Sequence, residues 1–271
     1  MLIDTHCHLD AAEFDADRPE VAAHALDSGV QAIVIPAIER ANFAVVRDLA
    51  AQVAGGAYAL GIHPLYVQRA DDADLDALRE AIRQALGDPR FVAIGEIGLD
   101  FFVPEIASGE PRARQERFYA AQLAMAAEFK LPVLLHVRKS QDILLKYLRR
   151  HDRIGGIAHA FNGSAQQAQA FVEQGFALGL GGAMTYERAL QIRRHATDVD
   201  LRHLVLETDA PDIPPAWLHP PRRRNRPGEL ARIAQVLAEL RGITPAQVAQ
   251  ATTANALRVL PRLSAAILAD D

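Results

Sequence analysis

Six ionisable residues carry the chemistry this sequence can do. His6 and His8 are separated by one residue at the end of the apolar segment Leu2–Thr5. Successive side chains of a strand alternate between its faces, so both imidazoles point to one side. Two neutral imidazoles at this spacing can grip one divalent ion. An isolated His-x-His is equally compatible with two packed histidines. The other polar residues sharpen the reading. Glu96 follows the run Phe91–Gly95, His136 ends Pro132–His136, His159 lies near the end of Gly156–Ala160, and Asp209 follows Val205-Leu206-Glu207. Any one of these could be an ordinary loop residue. Four of them at apolar strand ends, together with the His-x-His, make a pattern. Four histidines and two carboxylates are enough ligands for two divalent ions. Glu96 is suited to bridge them, which is the chemistry of a metal hydrolase.

Such ligands need elements that bring them together. Short apolar runs alternate with helical patterns along the chain, the signal of βα units. The expected strands are Leu2–Thr5, Gln31–Pro36, Ala57–Gly61, Phe91–Gly95, Pro132–His136, Gly156–Ala160, Phe176–Leu180 and His203–Glu207. Asp17-Arg18-Pro19 opens a helix that Gly29 follows. Ser164 with Gln167, and Thr244 with Pro245 and Gln247, have capping-box spacing. The segment Asp209–Pro227 contains six prolines and has no element of its own. A loop that long in a compact domain is usually functional. Eight βα units fit either a closed (β/α)₈ TIM barrel or an open doubly wound sheet. Ionisable groups at the C-terminal ends of several strands favour the barrel, whose active sites lie on that face.

Composition sets the outer bounds. The chain has 271 residues, close to the roughly 250 of a single TIM barrel, so residues 1–271 are expected to form one domain. Hydrophobic residues make up 50% and charged residues 23%, as in ordinary globular proteins. The net charge of −5 argues against a surface that is a nucleic-acid platform throughout, but not against a local basic groove. A single cysteine, Cys7, excludes an intrachain disulfide framework and fits a reducing compartment. Strand alternation turns it away from His6 and His8, so it is read as a small buried side chain rather than a nucleophile. The opening residues lack the pattern of a signal peptide, and no apolar run approaches the ~18 residues of a membrane span. A cytoplasmic protein with no membrane association and no obligate protein partner is expected.

Together, Asp4-Thr5-His6-Cys7-His8, Gly61-Ile62-His63-Pro64, Gly95-Glu96-Ile97-Gly98-Leu99-Asp100, His136-Val137-Arg138, His159-Ala160-Phe161-Asn162-Gly163-Ser164, Glu207-Thr208-Asp209-Ala210-Pro211 and Asn225-Arg226-Pro227 resemble the TatD family of metal-dependent deoxyribonucleases. These motifs span residues 4 to 227 in family order. The glycine-rich stretch 175–182 and Asp212-Ile213-Pro214 look closest to its YjjV-like branch. The resemblance implies an amidohydrolase-like TIM barrel. It implies metal ligation by His6, His8, Glu96, His136, His159 and Asp209, with two divalent ions (Zn, Mg or Mn) as cofactors. It also implies DNA as substrate, hydrolysed from an end by a water that two metals activate. Asp209 and Glu96 are the expected catalytic residues, Asp209 orienting or deprotonating that water. Many family members have Asn-Glu-Pro where this chain has Asn225-Arg226-Pro227, and the family often has cysteine at the place of Ala160. Neither change touches a ligand.

Weaker candidates for substrate contact are His63, Arg138 with Lys139, and Arg222, Arg223 and Arg224 in the long loop. Arginine suits phosphate because its fork donates two hydrogen bonds. Each of these residues is equally readable as a structural histidine or a solvated charge. Asp10 and Asp100 are either carboxylates that orient ligand imidazoles or turn formers. Two rival functions remain. One is hydrolysis of a small ester, amide or lactone by the same dinuclear site. Relatives of that kind bridge their ions with a carboxylated lysine on strand four, where this chain has Glu96. The other is a non-catalytic metal-binding barrel, which predicts missing ligands.

Overall fold

The computed structural model describes residues 1–221 and 223–269. Eight strands form one sheet in sequence order: β1 (Leu2–Asp4), β2 (Val30–Pro36), β3 (Gly56–Leu60), β4 (Phe91–Asp100), β5 (Val133–Arg138), β6 (Gly156–Ala158), β7 (Phe176–Leu180) and β8 (Leu204–Leu206). All seven neighbouring pairs are parallel. The two edges meet as well. The Thr5 amide donates to the Leu206 carbonyl at 3.1 Å, and the Asp209 amide donates to the His6 carbonyl at 2.9 Å. The sheet therefore closes into the expected (β/α)₈ barrel.

Parallel neighbours require a crossover. Helices supply it: α1 (Arg18–Asp27), α2 (Phe43–Ala50), α3 (Asp72–Ala85), α4 (Gly109–Phe129), α5 (Gln141–Leu148), α6 (Ala165–Glu173), α7 (Leu190–Asp198) and α8 (Leu230–Arg241). The capping boxes at Ser164 and Thr244 form as expected, and Gly29 and Gly175 take the left-handed φ of +88° and +87° after their helices. Asp17 precedes α1 but makes no capping hydrogen bond; its carboxylate binds Arg224 instead.

The strand pattern separates two cores. Ile33, Ile35, Tyr58, Leu60, Phe176 and Leu178 pack outward under the helices. Their neighbours Ala32, Val34, Ala57, Ala59, Ala177 and Val205 form the inner cluster. Two further helices, α9 (Pro245–Val259) and α10 (Leu263–Leu268), and the turn between them add Ala256, Val259, Leu260 and Leu263 to that inner cluster. Their polar residues grip the N-terminal side of the barrel: Thr253 donates to the Met1 carbonyl, Asn255 to Leu204 and Arg262 to Phe91. One end is thus plugged, which leaves the C-terminal end for the site.

Most expected strand boundaries move by one or two residues, and one moves further. β4 does not stop at Gly95 but runs to Asp100, with a register shift between Ile94 and Ile97. Glycines at 95 and 98 read locally as a strand end, yet Gly98 adopts a φ of +145° and pairing with β5 resumes beyond the irregularity. Glu96 therefore lies inside a strand, at its bulge. Bulges re-aim side chains next to active sites.

Candidate metal centre

The six expected ligands come from five strands and meet at the C-terminal mouth. His6 and His8 lie just past β1, Glu96 in β4, His136 in β5, His159 one residue past β6, and Asp209 three residues past β8. His6 Nε2 stands 3.3 Å from His8 Nε2 and 3.1 Å from Glu96 Oε2. Glu96 Oε1 lies 2.9 Å from His136 Nδ1. Asp209 Oδ1 lies 3.4 Å from His159 Nε2, 3.7 Å from His8 Nε2 and 3.8 Å from His6 Nε2. The rings of His6 and His159 stack with centroids 3.7 Å apart. Glu96 is the centre of this arrangement, because its two oxygens face different histidines.

Among the described residues, three sets of donor atoms lie close enough to share an ion: His6, His8 and Asp209; His6, Glu96 and His159; and His63, Glu96 and His136. The chemistry of these sets fits divalent cations. Ring nitrogens 3.3 Å apart, with carboxylate oxygens between and beside them, compete for few protons, and a cation satisfies them together. His63 belongs to one set. Its Nε2 lies 3.0 Å from His136 Nδ1 and 3.4 Å from Glu96 Oε1, so it stands within the cluster rather than outside it.

Burial and charge set the protonation of these side chains. Burial pushes the Glu96 carboxyl up, but His63, His6 and the hydrogen bonds from His136 and His6 outweigh it and hold the carboxyl well below its ordinary value. Asp209 is likewise held low against burial, by His159, His6 and His8. Burial alone would lower His8; the hydrogen bond and charge of Glu96, with Asp209 and Asp10, lift it to about 9. His63 has less compensation and falls to about 4 through burial. His8, His136 and Asp209 keep 15–18% of their side-chain surface open, whereas His6 and Glu96 are sealed. Solvent and substrate therefore approach across the first three.

A ring of buried groups behind the cluster orients it. Asp100 Oδ2 lies 3.0 Å from His136 Nε2, which turns Nδ1 toward Glu96. Glu207 Oε1 lies 3.0 Å from His159 Nδ1 and accepts the Ala160 amide at 2.6 Å, which leaves His159 Nε2 facing Asp209. Such carboxylate–histidine contacts set the tautomer and raise ligand basicity. A Cβ at Gly179 would sit 2.1 Å from the Glu207 carboxylate, so only glycine leaves room for it. Asp4 is fully buried. Its Oδ1 accepts the amides of His6 and Thr208, and its Oδ2 accepts the Thr208 hydroxyl at 2.5 Å. It thereby ties the segment carrying His6 and His8 to the segment carrying Asp209. Ala160 and Asp209 hold φ of 44° and 56°, in a region that non-glycine residues reach only when their surroundings enforce it.

Some sequence expectations land elsewhere. Asp100 takes the orienting role, but Asp10 accepts from Asn42 Nδ2 at 2.9 Å. Arg224 is turned away to Asp17 and packs its guanidinium 4.9 Å from the Phe14 ring centroid. Arg223 is exposed, and Arg222 lies outside the described residues. Arg138 is half exposed, with a guanidinium nitrogen 3.7 Å from Asp100. Cys7 is buried and faces the Ala210 carbonyl, away from the cluster. Glu207 and Asp4 carried no role in the sequence reading. Their only local sign was a carboxylate within or beside a wholly apolar strand.

Known proteins bear on this arrangement. A family model described as TatD related DNase matches residues 3–261. An uncharacterized metal-dependent hydrolase of Escherichia coli K12, YjjV, is 40% identical over 255 residues, covering 93% of this chain and 95% of that protein. The 3'-5' ssDNA/RNA exonuclease TatD of Shigella flexneri is 33% identical over 264 residues, 94% of this chain and 96% of the relative. The crystal structure of E. coli YjjV, a TatD homologue, superposes with a TM-score of 0.88 at 39% identity, covering 96% of this chain and 98% of that one. A yeast amidohydrolase structure with 19% identity and a TM-score of 0.83 shares the fold. With a barrel, a cluster of side chains able to hold metal at its mouth and this extent of similarity, the chain belongs to the TatD related DNase family of metal-dependent hydrolases.

Proposed function

We propose that this hydrolase is a nuclease that cleaves phosphodiester bonds of single-stranded DNA or RNA, using two divalent ions and an activated water. The observation that carries the reading is the split of Glu96: Oε2 faces His6 and His8, while Oε1 faces His136 and His63. A carboxylate divided in this way is poised to bridge two cations. The exonuclease named among the relatives supports a nucleic-acid substrate.

When bound, two such ions would supply a water of lowered pKa and positive charge for the phosphoryl oxygens. His6, His8 and Asp209 would hold one of them together with Glu96, and Glu96, His136 and His63 the other, with His159 beside His6 and Asp209. Asp209 stands on the open side of the cluster and is held in its charged form, so it can accept the proton of the attacking water at Oδ1. His63 lies at the same rim as His136, where a neutral imidazole can donate to a phosphate oxygen or complete the ligand set. Asp100 and Glu207 keep the imidazoles of His136 and His159 in one orientation while charge develops.

The test is a metal screen on labelled single-stranded DNA, RNA and a simple aryl phosphodiester, run beside a panel of esters and lactones. His6→Ala and Glu96→Ala serve as controls, with bound metal measured by elemental analysis. Metal-dependent shortening of the oligonucleotide, lost in both variants along with bound ion, is the expected result. Turnover of esters or lactones without phosphodiester cleavage would overturn the nuclease reading. Full metal occupancy in both variants would overturn the ligand assignment.

A further inference from the structure

Phe102 is 48% exposed, and among the described residues it is the only aromatic side chain in the exposed class. Its position is not accidental to the fold. It lies two residues beyond Asp100, the last residue of β4, and Asp100 Oδ1 accepts the backbone amides of Phe102 at 2.8 Å and Val103 at 3.1 Å. The other oxygen of the same carboxylate holds His136. One side chain therefore fixes both a candidate metal ligand and the loop that presents the ring.

Two cations stand against that ring. The Arg138 guanidinium carbon lies 3.9 Å from its centroid and the Lys139 ammonium nitrogen 4.8 Å. Both follow His136 directly along the chain. Lys139 holds a left-handed φ of 54°, a conformation that bulky residues seldom adopt without enforcement. The ring keeps nearly half its surface open with both cations in place. A partly open aromatic ring beside two positive charges, at the edge of the proposed site, has the two parts of a single-strand platform. Bases stack on aromatic faces whatever their identity, and cations follow the backbone. A protein partner is a poorer match, because an apolar anchor in an interface is normally surrounded by further apolar surface. Here its close neighbours are Arg138 and Lys139.

Resting on the nuclease reading, we infer that Phe102, Arg138 and Lys139 form a nucleotide subsite beside the metal centre, in which the ring stacks on one base of a single strand and the two cations contact its phosphates. The subsite selects unpaired bases, because a base within a duplex offers no free face. It discriminates little between DNA and RNA, since neither stacking nor phosphate contact reads the sugar.

The experiment compares two fluorescent oligonucleotides of equal length and equal phosphate count, one a thymidine oligomer and one with abasic tetrahydrofuran units throughout. Binding of each is measured by anisotropy to the metal-loaded protein with phosphorothioate linkages to slow cleavage. The parent protein is expected to bind the base-bearing strand at least about fivefold more tightly. Phe102→Ala is expected to bring that ratio close to one, and Phe102→Trp to restore it. Arg138→Gln is expected to weaken both strands and flatten the salt dependence of each. Bound metal in each variant reports that the centre is intact. If the parent prefers the base-bearing strand and Phe102→Ala keeps the full preference, the subsite is overturned while the nuclease reading stands. If the parent neither binds nor shortens either strand, the nuclease reading falls, and this inference with it.

Discussion

Asp100 Oδ2 lies 3.0 Å from His136 Nε2, so a fully buried carboxylate decides which imidazole nitrogen faces the metal cluster. The ion pair holds Asp100 near a pKa of about 2: burial pushes it up, and the hydrogen bond and charge of His136, with the Phe102 and Val103 amides, overcome that. Its replacement tests the link between orientation and affinity. Asp100→Asn keeps an acceptor for the backbone amides but removes the charge opposite His136. Loss of such a partner typically costs about 10–100-fold in metal affinity or activity. Competition titration with a chromophoric chelator should register that loss. Unchanged affinity would show that His136 needs no partner.

Asp209→Asn is expected to impair turnover more than binding. The amide keeps the shape of the side chain, which lies 3.4 Å from His159 Nε2, but cannot take a proton at neutral pH. A general base contributes about 10²–10⁴-fold in rate. Single-turnover rates on an aryl phosphodiester, measured with bound metal quantified in the same sample, separate the two effects. Turnover within a few-fold of the parent at full occupancy would remove Asp209 from the role of base.

Metal loading should release protons and strengthen as pH rises. His8 is lifted to about 9, and His159 is raised well above its ordinary value, against burial, by Glu207 and Asp209. His8 is therefore protonated at neutral pH and His159 is shifted toward its protonated form, so an ion must displace protons to reach the nitrogens. The apparent affinity for zinc should climb by about tenfold per pH unit for each proton displaced, levelling as pH passes the folded pKa. Calorimetry at pH 7.5 in buffers of different ionisation enthalpy measures the count directly. A binding enthalpy that does not depend on buffer would contradict these protonation states.

Arg224 should act on stability rather than on substrate. It donates to both carboxylate oxygens of Asp17, at 2.9 and 2.5 Å, and so joins the loop after β8 to the start of α1. Its hydrogen bond and charge hold the Asp17 carboxyl below the ordinary range. The pair is partly solvated, so Arg224→Gln should lower the melting temperature by no more than about 4 °C. The Michaelis constant for an oligonucleotide should remain near that of the parent. A several-fold rise with unchanged melting would return Arg224 to the substrate path that the arginine cluster first suggested.

The eight strands were legible in the sequence by itself, as were the positions of His6, His8, His136, His159 and Asp209 near their ends; Glu96 was read as following its strand. Apolar runs of strand length are a local signal, and a barrel places every strand end at one mouth, so the ligands could be grouped before any contact was known. The true length of β4 was not legible, because Gly95 and Gly98 punctuate the sequence like a strand end while cross-strand pairing with β5 carries the strand through a bulge to Asp100. The supports of the site were hidden for a related reason. Asp4 and Thr208 are 204 residues apart, Ala160 and Glu207 are 47 apart, and Arg224 and Asp17 are 207 apart. A buried carboxylate or an exposed arginine has no local preference for its partner. Only the assembled barrel, by setting the end of β8 beside β7 and β6 and joining it to the β1 segment, decides whether Glu207 orients His159 and whether Arg224 faces a substrate or an aspartate.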